Sequence, residues 1–431
     1  MVRKMENMVH PPNYVPTESK VTGIEVYMPA PQAAPEQSEV VEFNCPQCGA
    51  TTAYSVADAG LTCSHCGYHE APATSVVGVR AEEREFTVAS LEQAARGWGE
   101  ARKDLECQNC GSLTSLPVES LTHTCAFCAS NKVVQREAVQ NMLRPRFLVP
   151  FKVLADQCRS ITGQWLGSSW MTPASLTRLA GVQSFTPVYL PYWTFDAVAN
   201  ADWKAEVGHT ETESYYDAGD KEWKTRTVTV WRWESGSVRV TFDDLLVEGT
   251  SKLSALLLGK MSNYDMSALV AYEPGYLAGF MARAYDVALE QGWEKGRHAM
   301  REQTRQACRD QASTSNIRNF SMSLDFSEES WRYILLPVYV AAYRYGEQVY
   351  QVLINGQTGA IAGQRPVDWT KVWLAIAVLV LPGLLIGLLG LATLALGGVG
   401  VVIGGLGFVL LVVGLVIAAV IWSQAQRMDD A

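Results

Sequence analysis

Eight of the ten cysteines lie between Cys45 and Cys128 and repeat one spacing twice. They read Cys45-Pro-Gln-Cys48-Gly and Cys63-Ser-His-Cys66-Gly, then Cys107-Gln-Asn-Cys110-Gly and Cys125-Ala-Phe-Cys128. Fourteen residues separate Cys48 from Cys63, fourteen separate Cys110 from Cys125, and each cysteine of the second set lies 62 residues after its counterpart. One module is used twice. Two thiolates three residues apart can grip one ion from a tight turn. Glycine after the second cysteine permits the positive φ that turns backbone N–H groups toward the sulfurs. Two such knuckles make a closed tetrahedral site, the usual arrangement for structural zinc. Disulfide or redox pairs and a rubredoxin-like iron site are the alternatives. The duplicated frame and the fourteen-residue spacer favour a small zinc ribbon. The expectation is two structural Zn2+ per chain, one on Cys45, Cys48, Cys63 and Cys66 and one on Cys107, Cys110, Cys125 and Cys128.

The far end carries the second constraint. No charged residue occurs from Val372 to Gln426. That run is too long for one membrane span and suits two of about 20–25 residues. We place them at Val372–Leu394 and Val399–Trp422, with Leu396-Gly397-Gly398 as the turn. A soluble helix would keep a polar stripe, and this run has none. Gly383 with Gly387, and Gly400 with Gly404, form two G-x-x-x-G pairs through which the spans can pack. Pro382 should kink the first span without ending it. Thiolate ligands need a reducing compartment. Two spans return the chain to the side it left. Both termini and the soluble body are therefore expected in the cytosol, on the cytoplasmic (inner) membrane. Lys371 and Arg427 flank the run in keeping with the positive-inside tendency.

Between these ends the sequence reads as an α+β chain. Residues 1–40 are proline-rich, without an apolar segment that could serve as a signal peptide, and read as a disordered leader. Ribbon one covers 41–70, a helical spacer 71–104 and ribbon two 105–135. A β-rich body with helices spans 144–367, the transmembrane hairpin 372–422, and a cytosolic tail 423–431. Within the spacer, Ser90–Lys103 has helical periodicity. In the body, Phe147–Phe151 and Phe185–Val207 read as strands and Ala155–Leu166 as a helix. Thr225–Trp233 and Val238–Phe242 read as a hairpin turning at Ser235-Gly236. Tyr276–Gln311 reads as mostly helix, and Tyr333–Tyr345 and Gln348–Ile354 as strands. Tyr189-Leu190-Pro191-Tyr192 is echoed by Leu335-Leu336-Pro337-Val338-Tyr339, which suggests two related elements of one sheet.

Motifs of catalysis are missing. No G-x-x-x-x-G-K-[ST] loop occurs, since Gly259-Lys260-Met261 is not one, and there is no H-E-x-x-H or G-x-S-x-G. Asp196, Asp243 and Asp244 read as surface or capping residues. Cys158 and Cys308 read as buried thiols. Trp193, Trp203, Trp223, Trp231, Trp233 and Trp331 could stack bases, but cross-strand and core packing is the commoner use. Arg297, Arg301, Arg305 and Arg309 recur every four residues and form one ridge on a helix. The plainer reading is a solvated face, with Glu294, Glu302 and Asp310 offsetting part of the charge; the functional expectation for this ridge is contact with anionic lipid headgroups beside the anchor.

The knuckles together with Val188–Asp196, Phe242-Asp243-Asp244, Leu277–Phe280, Leu336-Pro337, Asn355–Gly359 and the terminal hydrophobic run resemble a known family. This is the bacterial membrane-anchored TFIIB-type zinc-ribbon proteins, often labelled primosomal-protein-N-prime-like. Some of them look like partners of flotillin-like and phage-shock-type membrane-protection systems. The helicase-derived label rests on the knuckles alone, and without a nucleotide-binding loop it implies no helicase activity.

Charge separates the remaining functions. The chain carries a net −9. Val41–Gln135 holds six Lys/Arg against eleven Asp/Glu, a net of −5. A surface that neutralises phosphates needs the opposite sign. The sequence therefore points to a membrane-anchored adaptor that binds protein partners, not to an enzyme. The alternative is a membrane-tethered nucleic-acid-binding zinc-ribbon protein.

Overall fold

The computed structural model describes residues 14–17, 26–29, 43–71, 76–78, 81, 84–85, 98, 102–117, 125–128, 130, 132–137, 142–179, 185–219, 221–345, 348–393 and 398–429. In chain order the early strands are β1 (Tyr14–Thr17), β2 (Val26–Pro29), β3 (Ala53–Ser55), β4 (Gly60–Thr62), β5 (His69–Glu70), β6 (Arg84–Glu85), β7 (Arg102–Cys107), β8 (Leu113–Pro117), β9 (Val133–Glu137) and β10 (Phe147–Leu148). Helices α1 (Ala155–Gly167) and α2 (Ala174–Leu179) follow, then β11 (Thr186–Asp217), β12 (Glu222–Glu248), α3 (Ala255–Gly259), β13 (Val270–Ala271) and β14 (Met281–Ala282). The chain ends with α4 (Leu289–Gln311), β15 (Ile317–Tyr345), β16 (Gln348–Asn355), β17 (Ile361–Gly363), α5 (Trp369–Ala392) and α6 (Gly398–Asp429). The fold is α+β.

Three very long strands organise the body. β11 is flanked by β12 on one side and β15 on the other, both antiparallel. Its sequence explains its two halves. From Val188 to Ala199 every residue is buried, because the strand is covered on both faces there. From Asn200 to Ala205 burial alternates, with Ala201, Trp203 and Ala205 inward, because only α4 covers it. The repeated Leu-Pro stretches are direct neighbours, Tyr189 opposite Pro337 and Pro191 opposite Leu335. Each proline sits where the outer partner strand changes. β11 hands over from β14 to β12 across Pro191, and β15 hands over from β10 to β16 across Pro337. Both carbonyls face that outer side, accepting from Gly249 N at 2.9 Å and Gly356 N at 2.8 Å. A missing N–H at such a gap breaks no ladder bond.

Several local expectations change. Ser235-Gly236 is not a turn: Glu222–Glu248 is one strand, and the hairpin with β11 closes between Asp217 and Glu222. The small residues there serve α4, which needs the room. Gln311 donates to the Ser237 carbonyl at 3.2 Å and accepts from Trp203 Nε1 at 2.6 Å. The helix expected from Tyr276 starts only at Leu289, because the preceding segment forms a 3-10 turn and β14. β15 starts at Ile317, well before Tyr333. Residues 14–17 and 26–29 pair as antiparallel strands within the leader. The rest of that leader, residues 90–97 of the expected spacer helix and the turn residues Leu396 and Gly397 lie outside the described residues. Arg102 and Lys103, expected at the helix end, open β7 instead.

Helices α5 and α6 are long and apolar enough to cross a membrane, over Trp369–Ala392 and Val399–Gln426. Most of their side chains face outward, which a core helix of a soluble protein would not allow. α5 runs unbroken through Pro382. The indole of Trp422 meets those of Trp369 and Trp373 at 5.1 Å each, so the start of α5 and the end of α6 lie side by side. The pair fits a membrane-integral hairpin. It is joined firmly to the body: Asp368 N donates to the Met171 carbonyl at 2.8 Å, and Lys371 Nζ to that of Thr172 at 2.8 Å. Met171, Val367, Val372 and Ala425 are buried together at this joint.

Candidate metal centres

Each module brings its four sulfurs together. In both groups the ligand atoms all lie within 4.8 Å of one another. Cys45 to Cys66 is 3.4 Å and Cys48 to Cys63 is 3.6 Å; Cys107 to Cys128 is 3.6 Å and Cys110 to Cys125 is 3.7 Å. A tetrahedron of sulfurs about 2.3 Å from a central zinc has edges of about 3.8 Å. A disulfide would need about 2.05 Å, and all ten cysteines are free thiols. The knuckle turns take the form expected from their glycines. Gly49, Gly67 and Gly111 have φ of +73°, +74° and +67°. Their N–H groups return to the carbonyls of Cys45, Cys63 and Cys107 at 2.8, 2.9 and 2.8 Å.

The electrostatics suit a cation. Backbone N–H groups of Cys66 and His65 point at the Cys63 sulfur and bring its thiol down to about 6. Burial pushes the Cys125 thiol up to about 12. Cys110 resists the same burial through hydrogen bonds with Ser112 and falls to about 7. Four sulfurs this close cannot all ionise unless a cation relieves their repulsion. A metal bound at either group would supply that charge. Around the second group, Ser112 Oγ lies 3.2 Å from Cys125 Sγ and Asn109 Nδ2 donates to Cys128 Sγ at 3.6 Å. His65 and His69 stand outside the sulfur clusters; His69 Nδ1 lies 3.4 Å from Thr62 Oγ1.

The chain is similar to the uncharacterized protein YdjG of Bacillus subtilis (strain 168). Identity is 23% over 349 residues, which cover 77% of this chain and 92% of that protein. No protein-family model and no solved structure matches the chain.

The two modules differ in how they join the body. The first forms a separate three-stranded sheet, β3-β4-β5. It docks through Tyr54, whose N–H donates to the Ala278 carbonyl at 2.9 Å and whose ring lies 5.1 Å from Tyr276. The second is built into the large sheet. β7, β8 and β9 join it through β14, with Ala282 opposite Ser115. Buried Arg102 donates to the carbonyls of Ser115 at 2.8 Å and Phe280 at 2.9 Å. Phe127, inside the fourth knuckle, is buried under the guanidinium of Arg283 at 5.2 Å, and its carbonyl accepts from Gln351 at 2.7 Å.

One cluster was not legible as a site. Asp196, Asp243 and Asp244 converge within 4.8 Å; Asp243 is exposed, as its surface reading had it, whereas Asp196 is buried, which corrects that reading. Arg332, fully buried, supplies the cation: it lies 2.6 Å from Asp244 and 3.5 Å from Asp196. Asp196 sits at the bulge where β11 shifts register against both neighbours, and its Oδ1 accepts from Asp244 N at 2.5 Å. The cluster pins that bulge. The only local signal was a single charge, Arg332, in the apolar run Trp331–Val340. Removing one partner of a buried pair costs about 3–5 kcal/mol. Arg332→Leu should therefore lower the denaturant midpoint of the body sharply, while Asp243→Asn, on the exposed member, should leave it within experimental scatter. An Arg332→Leu midpoint equal to wild type would show that the cluster carries no stability.

The tryptophans divide. Trp193, Trp203 and Trp331 are core residues, as expected. Trp223 is 74% exposed on the distal β11–β12 ribbon, opposite exposed Tyr216, and Trp233 is 55% exposed opposite Glu206, under Lys204. Three cations of that ribbon are paired: Lys224 with Asp217 at 2.7 Å, Arg226 with Glu213 at 2.8 Å, and Arg232 with Glu211. Cys158 and Cys308 are buried.

Proposed function

We propose that this chain is a membrane-anchored scaffold whose two zinc modules brace a long β-sheet that presents binding surfaces to protein partners. The observation that carries this reading is the joint between body and hairpin. A buried apolar cluster, the Asp368 N–H on the Met171 carbonyl and Lys371 on the Thr172 carbonyl hold the α1–α2 loop of the body, and the segment that leaves β17, on the candidate membrane helices. β11 and β12 then extend about 30 Å beyond the last residue that β15 pairs, ten residues at about 3.3 Å each. A sheet held at one end and free at the other suits display. The neutralised cations beside the exposed aromatics of the ribbon support a protein partner over a polyanion.

In the same reading the cysteine groups hold zinc, as their soft donors and tetrahedral spacing favour. The ribbons, the body and both termini face the cytosol across the inner membrane. The TFIIB-type resemblance and its link to flotillin-like and phage-shock-type systems name the assemblies in which partners are to be sought.

Affinity purification of the detergent-solubilised full chain after in-cell crosslinking tests the reading. Specific proteins should be recovered that an anchor-only control, the hairpin fused to a neutral tag, does not recover. Recovery of nucleic acid in place of protein would favour the tethered nucleic-acid reading. Metal analysis of the same preparation should return two zinc ions per chain. A C-terminal reporter active only outside the cytosol should stay silent; activity would overturn the topology.

A further inference from the structure

The arginine ridge does not lie beside the anchor. Arg297 stands over the ring of Phe326 at 5.4 Å and Arg309 over that of Phe320 at 5.5 Å. The ridge therefore runs antiparallel to β15, twelve helical residues (about 18 Å) against six strand residues (about 20 Å). The chain leaves for the membrane opposite Ala341, through Val352 and Gly363. From Leu324 that is seventeen residues of β15, about 55 Å of strand. The headgroup contact expected from sequence is not what this placement favours.

What the ridge does face is a groove of ≈ 490 Å³ lined by Arg301, Arg305, Arg309, Arg318 and the side chains of Phe320, Met322 and Leu324. β15 forms its floor. On one side β15 pairs with β11 throughout this stretch. On its other side β6, β10 and β16 occupy Ser330 onward, and among the described residues no strand pairs Ile317–Glu329. Bulges at Asn319 and Glu328, both with positive φ, bound a regular segment from Ser321 to Ser327 that no described strand pairs on its outer side. Unpaired N–H and C=O groups along such an edge are a template for one more strand.

The charge is positive on balance. Arg305 pairs with Glu302 at 3.2 Å and Arg318 with Glu206, and Asp310 accepts from Gln306 at 2.7 Å. Arg309 leans on Phe320, and Arg301 has no acidic partner among the described residues. The spacing is informative. Successive ridge arginines rise about 6.0 Å along the helix. Alternate side chains of an extended strand are about 6.7 Å apart. A strand laid on the open edge would thus place every second side chain opposite one of Arg301, Arg305 and Arg309.

We propose that the groove between α4 and the open edge of β15 receives an acidic, extended segment of a partner protein, added as a further strand with a carboxylate at every second position. The carboxylates meet the guanidinium row, and the alternate backbone groups complete the ladder of Ser321–Ser327. A nucleic-acid backbone has phosphates to offer the arginines but lacks the repeating N–H and C=O groups that match a strand edge. The inference shares with the adaptor reading only that the partner is a protein.

The full chain in nanodiscs of uncharged lipid, titrated with a fluorescent peptide of alternating glutamate and valine, provides the test. Anisotropy should report binding in low salt that weakens in high salt. Arg301→Gln combined with Arg305→Gln should weaken it about tenfold or more, as expected for lost charge-assisted hydrogen bonds, with unchanged thermal midpoint and metal content. Arg301→Gln alone, at an exposed side chain, guards against a folding artefact and should weaken binding in the same direction. The same peptide N-methylated at its pairing nitrogens should also bind about tenfold more weakly, because strand addition needs those donors. No binding of the peptide, equal binding by the arginine variants, or equal binding of the methylated peptide would each overturn the proposal. So would preferential displacement by oligothymidylate or by anionic vesicles. If the groove fails while crosslinked partners are still recovered from cells, the adaptor reading stands and its surface lies elsewhere.

Discussion

Cys107→Ser should destabilise the whole body, whereas Cys45→Ser should remain largely confined to the first module. Each substitution removes one of four ligands and should lower bound metal from two ions to one per chain. A small module depends on its ion for most of its folding free energy, on the order of 10–16 kcal/mol for zinc-finger peptides. The question is where the loss spreads. The second module shares strands with the large sheet. Cys107, Cys125 and Phe127 are buried in the same apolar cluster as Val188, Leu190 and Leu336 of the central strands. Arg102 and Arg283 tie it to Phe280 and Thr250. The first module has its own sheet and touches the body through Tyr54, with Ala53 and Leu61 against the Gly275–Gly279 segment. If about 4 kcal/mol is transmitted to a body of this size, its thermal midpoint falls by about 10 °C. Melting followed by tryptophan fluorescence, which reports buried Trp193, should show that drop for Cys107→Ser and less than half of it for Cys45→Ser. Equal drops, or an unchanged midpoint for Cys107→Ser, would mean that the second module is an appendage.

Gly390→Ile and Gly407→Ile should each push the two apolar helices apart. A Cβ on Gly390 would lie 2.3 Å from Gly404 N, and one on Gly407 would lie 2.3 Å from Gly387 N. Both obstacles are backbone, so neither can rotate away. Gly383 and Gly414 are similarly close to Leu411 and Leu379. The converse positions are open: a Cβ on Gly387 meets nothing within 4 Å, and one on Gly404 meets only Gly390 at 3.9 Å. The G-x-x-x-G reading therefore found the packed helices and Gly383, which needs the space, but reversed the roles of Gly387 and Gly404. Gly387 and Gly404 provide the surface, and Gly407 and Gly390 need the space. Spin labels on exposed Leu388 and Val409 should move apart by about 2–4 Å in either isoleucine variant, toward the 8–10 Å of ordinary helix pairs. Gly387→Ala and Gly404→Ala should leave the distance unchanged. The opposite ranking would show that the hairpin packs in another register.

Both four-cysteine groups and both apolar helices could be read from the sequence because each is local. A knuckle is two cysteines three residues apart with glycine at the positive-φ position, and four sulfurs need only one turn of small sheet to meet. A span is a matter of length and the absence of charge. The α+β class followed from alternating and periodic runs, and the Leu-Pro echo marked two strands that are direct neighbours.

Tertiary structure decided what depends on register between distant segments. No local pattern brings Asp196 and Asp244 to Arg332, 136 and 88 residues later, since a two-residue period gives a side chain's face but not its partner. Nor could a turn-forming Ser-Gly pair reveal that α4 would pack over it and hold the strand straight. The helical repeat placed Arg301, Arg305 and Arg309 on one ridge. That the ridge faces a groove on β15, seventeen residues of strand away from where the chain leaves for the anchor, follows from the packing of α4 on the sheet. Spacing along the chain sets which groups can act together locally. Which of them meet across the fold is set by the long antiparallel register of three strands, and that register is a property of the packed sheet as a whole.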